Sequence, residues 1–214
     1  MLSAFTAGAL FVSSLGSSLT GAPATGWRAT PPPRQEMTIK VVTANGSGCP
    51  GKSAIIDVAP DNRAFTVSYS EFTAQVGPQA KPTDYRKNCQ LMLNVLVPSG
   101  FTYAIAGADY RGFGHLEEGA YGSQTAFYYF QGWPQTGKSR TDFNGWFDDD
   151  WQHSDKIEIG ALNYLPCGSL RNLNVNTELR VNAGTSDRKS TSFLTMDSSD
   201  GSLETTYHVA WQKC

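Results

Sequence analysis

Residues 171–184 read RNLNVNTELRVNAG. Leu173, Val175, Thr177, Leu179 and Val181 alternate strictly with Asn172, Asn174, Asn176, Glu178, Arg180 and Asn182. A helix gathers residues three and four apart onto one face, so it cannot use a period of two. An extended strand uses it fully, with one dry face and one wet face. A chain carrying this segment must build a sheet buried on one side and solvated on the other, which is the habit of antiparallel sheets.

The same pattern recurs in less pure form. It predicts strands over 37–43, 53–60, 64–70, 89–98, 101–110, 124–132, 190–197 and 202–211, the last two joined as a hairpin across SSDG, 198–201. Met92 and Leu96 on the second face of 89–98 predict a strand covered on both sides. Pro60-Asp61-Asn62 marks a turn. No window carries sustained apolar residues at i, i+3, i+4 and i+7, so helices should be short turns. Charged residues make up only 17% of the chain and glycines number 21, a composition that suits strands and turns rather than long surface helices. Nine or ten short strands with no internal repeat predict an all-β fold, a two-sheet antiparallel β-sandwich of jelly-roll or Ig-like type.

The N-terminal stretch has a different character. Residues 1–24, MLSAFTAGALFVSSLGSSLTGAPA, contain no Asp, Glu, Lys or Arg. Their apolar centre, about Phe5 to Val12, is too short to cross a bilayer. Ala22-Pro23-Ala24 has the small-x-small form of a cleavage site, with Thr20-Gly21-Ala22 competing, so the segment reads as a secretory signal peptide. Residues 25–36, with Pro31-Pro32-Pro33, read as a linker, and 37–214 as a single domain. Four widely spaced cysteines with no C-x-x-C pair agree with export and argue for two disulfides. Of the three connectivities, Cys49–Cys89 with Cys167–Cys214 is favoured, because each then closes a loop within one half of the chain. Asn45-Gly46-Ser47 is an N-glycosylation sequon in a turn-like setting. No anchor signal follows, so the expected fate is a free, monomeric extracellular protein. A formal net charge of -2 and no Lys/Arg cluster argue against nucleic-acid binding.

The candidate chemistry centres on GWFDDDW, residues 145–151. Trp133, Trp146, Asp148, Asp149, Asp150 and Trp151 form a candidate sugar rim, in which a Trp stacks on a pyranose and carboxylates accept its hydroxyl hydrogen bonds. The same carboxylates are a candidate Ca²⁺ site, although the D-x-D-x-D-G spacing is missing. A glycosidase pair would need a partner from elsewhere, such as Asp109, Glu117 or Glu118. The plainest reading makes Trp146, Phe147 and Trp151 core anchors around a solvated loop crest. DYRGFGHLEEGAYG, 109–122, reads as a long loop at one end of the sandwich and a candidate ligand-binding loop, with the plainer reading that Arg111 pairs with an acidic residue and the glycines turn corners. His115, His153 and His208 stand far apart, and there is neither H-E-x-x-H nor G-x-S-x-G. No catalytic residue and no cofactor other than that candidate Ca²⁺ is assigned. Asn172, Asn174 and Asn176 are candidates to bind sugar hydroxyls, with an ordinary wet sheet face as the simpler reading.

TIKVVTANGSGCP, TDYRKNCQLMLNVLVPSGFTYAIAGADYRGFGHLEEGA, DDDW, CGSLRNLNVNTELRVNAG and the closing W-x-x-C together resemble the secreted family called domain of unknown function 4360. The resemblance covers about residues 37–214 and implies a secreted, cysteine-containing domain, without an activity or catalytic residues. The leading functional expectation is a non-catalytic extracellular or cell-wall binding protein directed at polysaccharide or cell-surface glycan. A secreted polysaccharide hydrolase and an effector acting on a host protein are the alternatives.

Overall fold

The computed structural model describes residues 30–134, 137–196 and 204–214. The expected signal peptide and the SSDG turn lie outside them. Twelve strands are described: β1 (Thr38–Asn45), β2 (Ala54–Val58), β3 (Ala64–Tyr69), β4 (Thr73–Val76), β5 (Arg86–Leu96), β6 (Phe101–Leu116), β7 (Tyr121–Phe130), β8 (Gly137–Asn144), β9 (Phe147–Lys156), β10 (Leu173–Asn182), β11 (Ser192–Thr195) and β12 (Glu204–Lys213). The helical elements described are two three-residue 3₁₀ turns.

The strands form a two-sheet antiparallel sandwich. One sheet has five strands in the order β1-β5-β10-β7-β8, and the other has seven. In the second, the pairing runs β2-β3-β12-β6-β11-β4, and β9 also pairs with β6. β9 and β11 both pair with Phe113–His115, so they must lie on opposite edges of β6. β10 sits at the centre of the five-stranded sheet, and Leu173, Val175, Thr177, Leu179 and Val181 are all buried, as their alternation requires. They meet Phe65, Val67, Tyr103, Tyr110, Tyr207 and Trp211 of the facing sheet. Fully burying such aromatic and branched side chains is the main drive for the two sheets to pack.

Four sequence expectations change. Leu96 of β5 is 42% exposed, so that end of the strand is open on its second face rather than covered on both. β11 and β12 do not pair with each other as a hairpin: both pair with β6, β12 with Phe101–Tyr110 and β11 with Phe113–His115, end to end along the same edge. The long loop expected over 109–122 is strand as far as Leu116. Phe147–Lys156 is strand rather than a loop crest.

The described part of the expected linker is tied down. Asn62, in the turn after β2, is buried and holds the left-handed φ of 57° that Asn tolerates better than most residues. Its side chain donates to the Pro33 and Gln35 carbonyls at 3.0 and 2.8 Å and accepts from the Met37 amide at 2.9 Å. Its own carbonyl accepts from the Trp211 indole at 2.8 Å, and Thr30 bridges to Trp211. Both favoured disulfides are formed, Cys49–Cys89 in the core and Cys167–Cys214 at the surface. Asn45 ends β1 with an exposed side chain.

Candidate functional site

The two dense segments of the sequence become neighbours. β6 and β9 pair antiparallel with Arg111 opposite Gln152, Phe113 opposite Asp150, and His115 opposite Asp148. Directly paired residues share a face, so these six side chains stand together on the outer face of the seven-stranded sheet. On the inner face, Gly112 lies opposite Trp151 and Gly114 one pair away from Phe147. A Cβ on Gly112 would meet Trp151 Cζ2 at 2.2 Å, and one on Gly114 would meet the Phe147 ring at 2.9 Å. The glycines leave the room that the aromatic rings of β9 fill. That packing fixes which face of β9 is dry, and hence which of its aspartates face outward.

The outer face carries an aromatic patch. His115 stacks on Phe193 of β11 at 5.9 Å and meets the edge of Trp146 at 5.4 Å, while Phe113 lies 5.9 Å from Phe193. Trp146 is 64% exposed. Gly145 before it packs so closely on the 116–117 backbone that a Cβ would sit 1.9 Å from the Glu117 carbonyl oxygen. Asp148 Oδ1 is 3.0 Å from His115 Nδ1, and Glu117 Oε1 is 3.4 Å from Nε2. The Asp148 hydrogen bond, and then that of Glu117, raise the His115 pKa against its partial burial.

Further along the same face lies an open cleft of about 550 Å³ where Asp109, Gln152, Ser154, Lys156 and His208 meet Ala106, Gly107 and Ile157. Asp109 Oδ2 accepts from His208 Nε2 at 2.7 Å, and Oδ1 accepts from the Ser154 hydroxyl. Partial burial works to raise the Asp109 pKa, but these bonds outweigh it and hold the carboxyl below its usual range. Both donors are committed to the carboxylate, so Ser154 is not presented to His208 as a nucleophile would be. From His115 to Asp109 is six residues of strand, about 20 Å.

Among the sequence candidates, Trp146, Asp148 and Asp150 meet on this face. Asp149 points the other way and accepts the Asp150 amide at 2.8 Å. Trp151 does not join them: it is 7% exposed and packs on Phe143 at 5.1 Å inside the sandwich. Trp133 does not join them either. It follows β7 and packs edge-on against Phe130 at 6.0 Å, at the opposite end of the β7–β8 pair from Trp146, about 24 Å away along eight residues of strand. Among the described residues, no group of three or more His, Cys, Asp or Glu is arranged to hold a metal ion. Phe193 was not singled out, and His115 and His208 were read as standing far apart, because strand pairing rather than spacing brings them here.

The sequence profile of the family described as "Domain of unknown function (DUF4360)" matches residues 35–214. A protein of Arthroderma benhamiae, described as an "Uncharacterized secreted protein", is 35% identical over 183 residues, which span 86% of this chain and 74% of the relative. Among solved structures, TmCBM61 in complex with beta-1,4-galactotriose aligns over 85% of this chain and 90% of its own, at 9% identity and a TM-score of 0.30. A similarity of that size says nothing about shared sites.

Proposed function

The chain belongs to the family described as a domain of unknown function (DUF4360) and is secreted, and on that footing we propose that it is a non-catalytic extracellular binding protein whose Trp146 face takes carbohydrate. The observation that carries this reading is an exposed indole in the β8–β9 bend, set against His115 and beside the carboxylates of Asp148 and Glu117. A pyranose offers an apolar C–H face and a ring of hydroxyls. Trp146 with His115 and Phe193 supplies the stacking surface, and Asp148, Asp150 and Glu117 supply acceptors for the hydroxyls. The cleft at Asp109 and Gln152 continues the polar surface for a longer chain.

Hydrolysis is less well supported. A glycosidase needs two carboxyl groups across the scissile bond, one of them held protonated. Asp148 and Asp150 stand side by side on one strand of an open face, and Asp109 is pushed toward ionisation. The test is depletion of the mature protein from solution by insoluble chitin, β-glucan and cellulose, with and without EDTA. Depletion without released sugar is expected, lost in Trp146→Ala and unchanged by EDTA. Released sugar would replace the binding reading with hydrolysis, and no depletion by any polymer would remove the carbohydrate reading of this face.

A further inference from the structure

The opposite face of the molecule, the outer side of the five-stranded sheet, carries a groove of about 580 Å³ that the Trp146 reading does not use. Its shape comes from β7. Tyr121, Ser123, Thr125 and Phe127 alternate outward on that strand, so two rings stand about 20 Å apart with two small side chains between them. Ser123 and Thr125 are buried as the floor, Tyr121 is 49% exposed, and Tyr85 is 48% exposed beside it.

The walls are charged, and unevenly so. Lys138, Arg140 and Arg180 line it against two carboxylates, Asp142 and Glu178, and Arg86 reaches Glu178 from just outside the groove. This surplus of positive charge sits on a chain whose formal net charge is -2. Arg140 holds Asp142 through two nitrogens at 2.9 and 2.6 Å, and Glu178 is shared by Arg86, at 2.6 Å, and Arg180. Those pairs fix the groove's geometry and leave donors over. Among the described residues, Arg180 bonds Glu178 through Nε alone, and Lys138 has no ion-pair partner. The Lys138 ammonium lies 5.7 Å from the centre of the Phe127 ring, so a cation sits over an aromatic face.

From this charge surplus and the ring-floor-ring profile we infer that the groove binds an acidic oligosaccharide, one whose sugar rings carry uronate carboxylates. The rings of Tyr121 and Phe127 take the apolar sugar faces at the two ends. Lys138 and the open guanidinium nitrogens of Arg180 take the carboxylates, and the planar Arg fork matches a carboxylate well. A neutral glycan would leave the cations unused, and an extended polypeptide anion would leave the stacking rings unused. This site lies on a different sheet from the Trp146 face and does not depend on the reading given for it.

The experiment is affinity electrophoresis of the whole secreted protein in native gels containing polygalacturonate, hydroxyethylcellulose or polyglutamate. Polygalacturonate alone should retard migration through this groove. Lys138→Gln and Tyr121→Ala, both at exposed side chains, should each weaken that retardation by about ten-fold or more, and Trp146→Ala should leave it intact. Equal retardation by polyglutamate would reduce the groove to a charge patch and overturn the proposal. So would no retardation by polygalacturonate, or full retardation in Tyr121→Ala. Loss of Trp146-dependent polymer binding with polygalacturonate retention intact would remove the other face's reading and leave this one standing.

Discussion

His115 sits between two carboxylates, Asp148 on the paired strand and Glu117 just beyond its own, with a ring stacked on one side and an indole edge on the other. The imidazolium is favoured by the Asp148 hydrogen bond first and by Glu117 after it, so its pKa in the fold lies above the ordinary 6.5. A histidine raised in this way stabilises the fold fully below its unfolded value, and that contribution fades as pH rises through the raised one. The expected result is an NMR titration of His115 with its midpoint above 6.5, falling back toward 6.5 in Asp148→Asn. A wild-type midpoint at the ordinary value would mean that the ion pair does not form in solution. None of this was readable from the sequence, because Asp148 is 33 residues from His115 and only the register of β6 against β9 joins them.

Among the elements, how legible a strand was depended on where its apolar side chains reside. The dry face of β10 could be read residue by residue from its own Leu and Val residues, whereas its Asn row, read as wet, is partly covered: Asn174 is 4% exposed and Asn176 only partly exposed. β6 faded after Tyr110, because its core positions there are Gly112 and Gly114 and the apolar volume beneath them belongs to Trp151 and Phe147 of β9. Read alone, each strand looks wrong: one too rich in glycine, the other too rich in aspartate. β8 was missed for a related reason, since Ser139, Thr141 and Phe143 are its inward residues and only one of them is apolar. The pairing of glycine with an aromatic ring across two strands makes a sharp prediction. In Gly112→Ala the new Cβ would lie 2.2 Å from the Trp151 ring and 2.3 Å from the Thr195 carbonyl oxygen, and a backbone atom cannot step aside cheaply. Urea unfolding should show a loss of about 1–3 kcal/mol, the usual cost of overpacking. Gly160→Ala, where a Cβ meets nothing within 4 Å, is the control and should change little. Equal stability of the two variants would mean that β9 is not seated under β6 as described.

At the scale of the whole molecule, Trp211 joins distant parts of the chain. Its indole donates to Asn62, whose side chain holds residues 33–37, its backbone bridges Thr30, and three residues later Cys214 is bonded to Cys167. The two disulfides differ in what surrounds them. Cys49 and Cys89 are buried at 0% and 1% exposure, whereas Cys167 and Cys214 are exposed. Thiolate attack needs access to sulfur, so reduction should follow burial. Mild reductant under native conditions, followed by alkylation and mass mapping, should label Cys167 and Cys214 first, and Cys49 and Cys89 only when the sandwich opens. The bridge at the end of the chain closes a loop with a sequence separation of 47, worth about 4 kcal/mol in the loop-entropy account. The strand it terminates is independently held, since β12 pairs with both β3 and β6 and its amide at Cys214 donates to the Gly100 carbonyl at 2.9 Å. Cys167→Ser/Cys214→Ser should therefore keep the sandwich folded while lowering its unfolding midpoint. Cys49→Ser/Cys89→Ser would place two hydroxyls in the core and should cost more, because a buried hydroxyl without a partner adds its desolvation to the lost constraint. A reversed order in thermal melts, with the surface pair costing more than the core pair, would show that chain-end closure rather than core packing limits this fold.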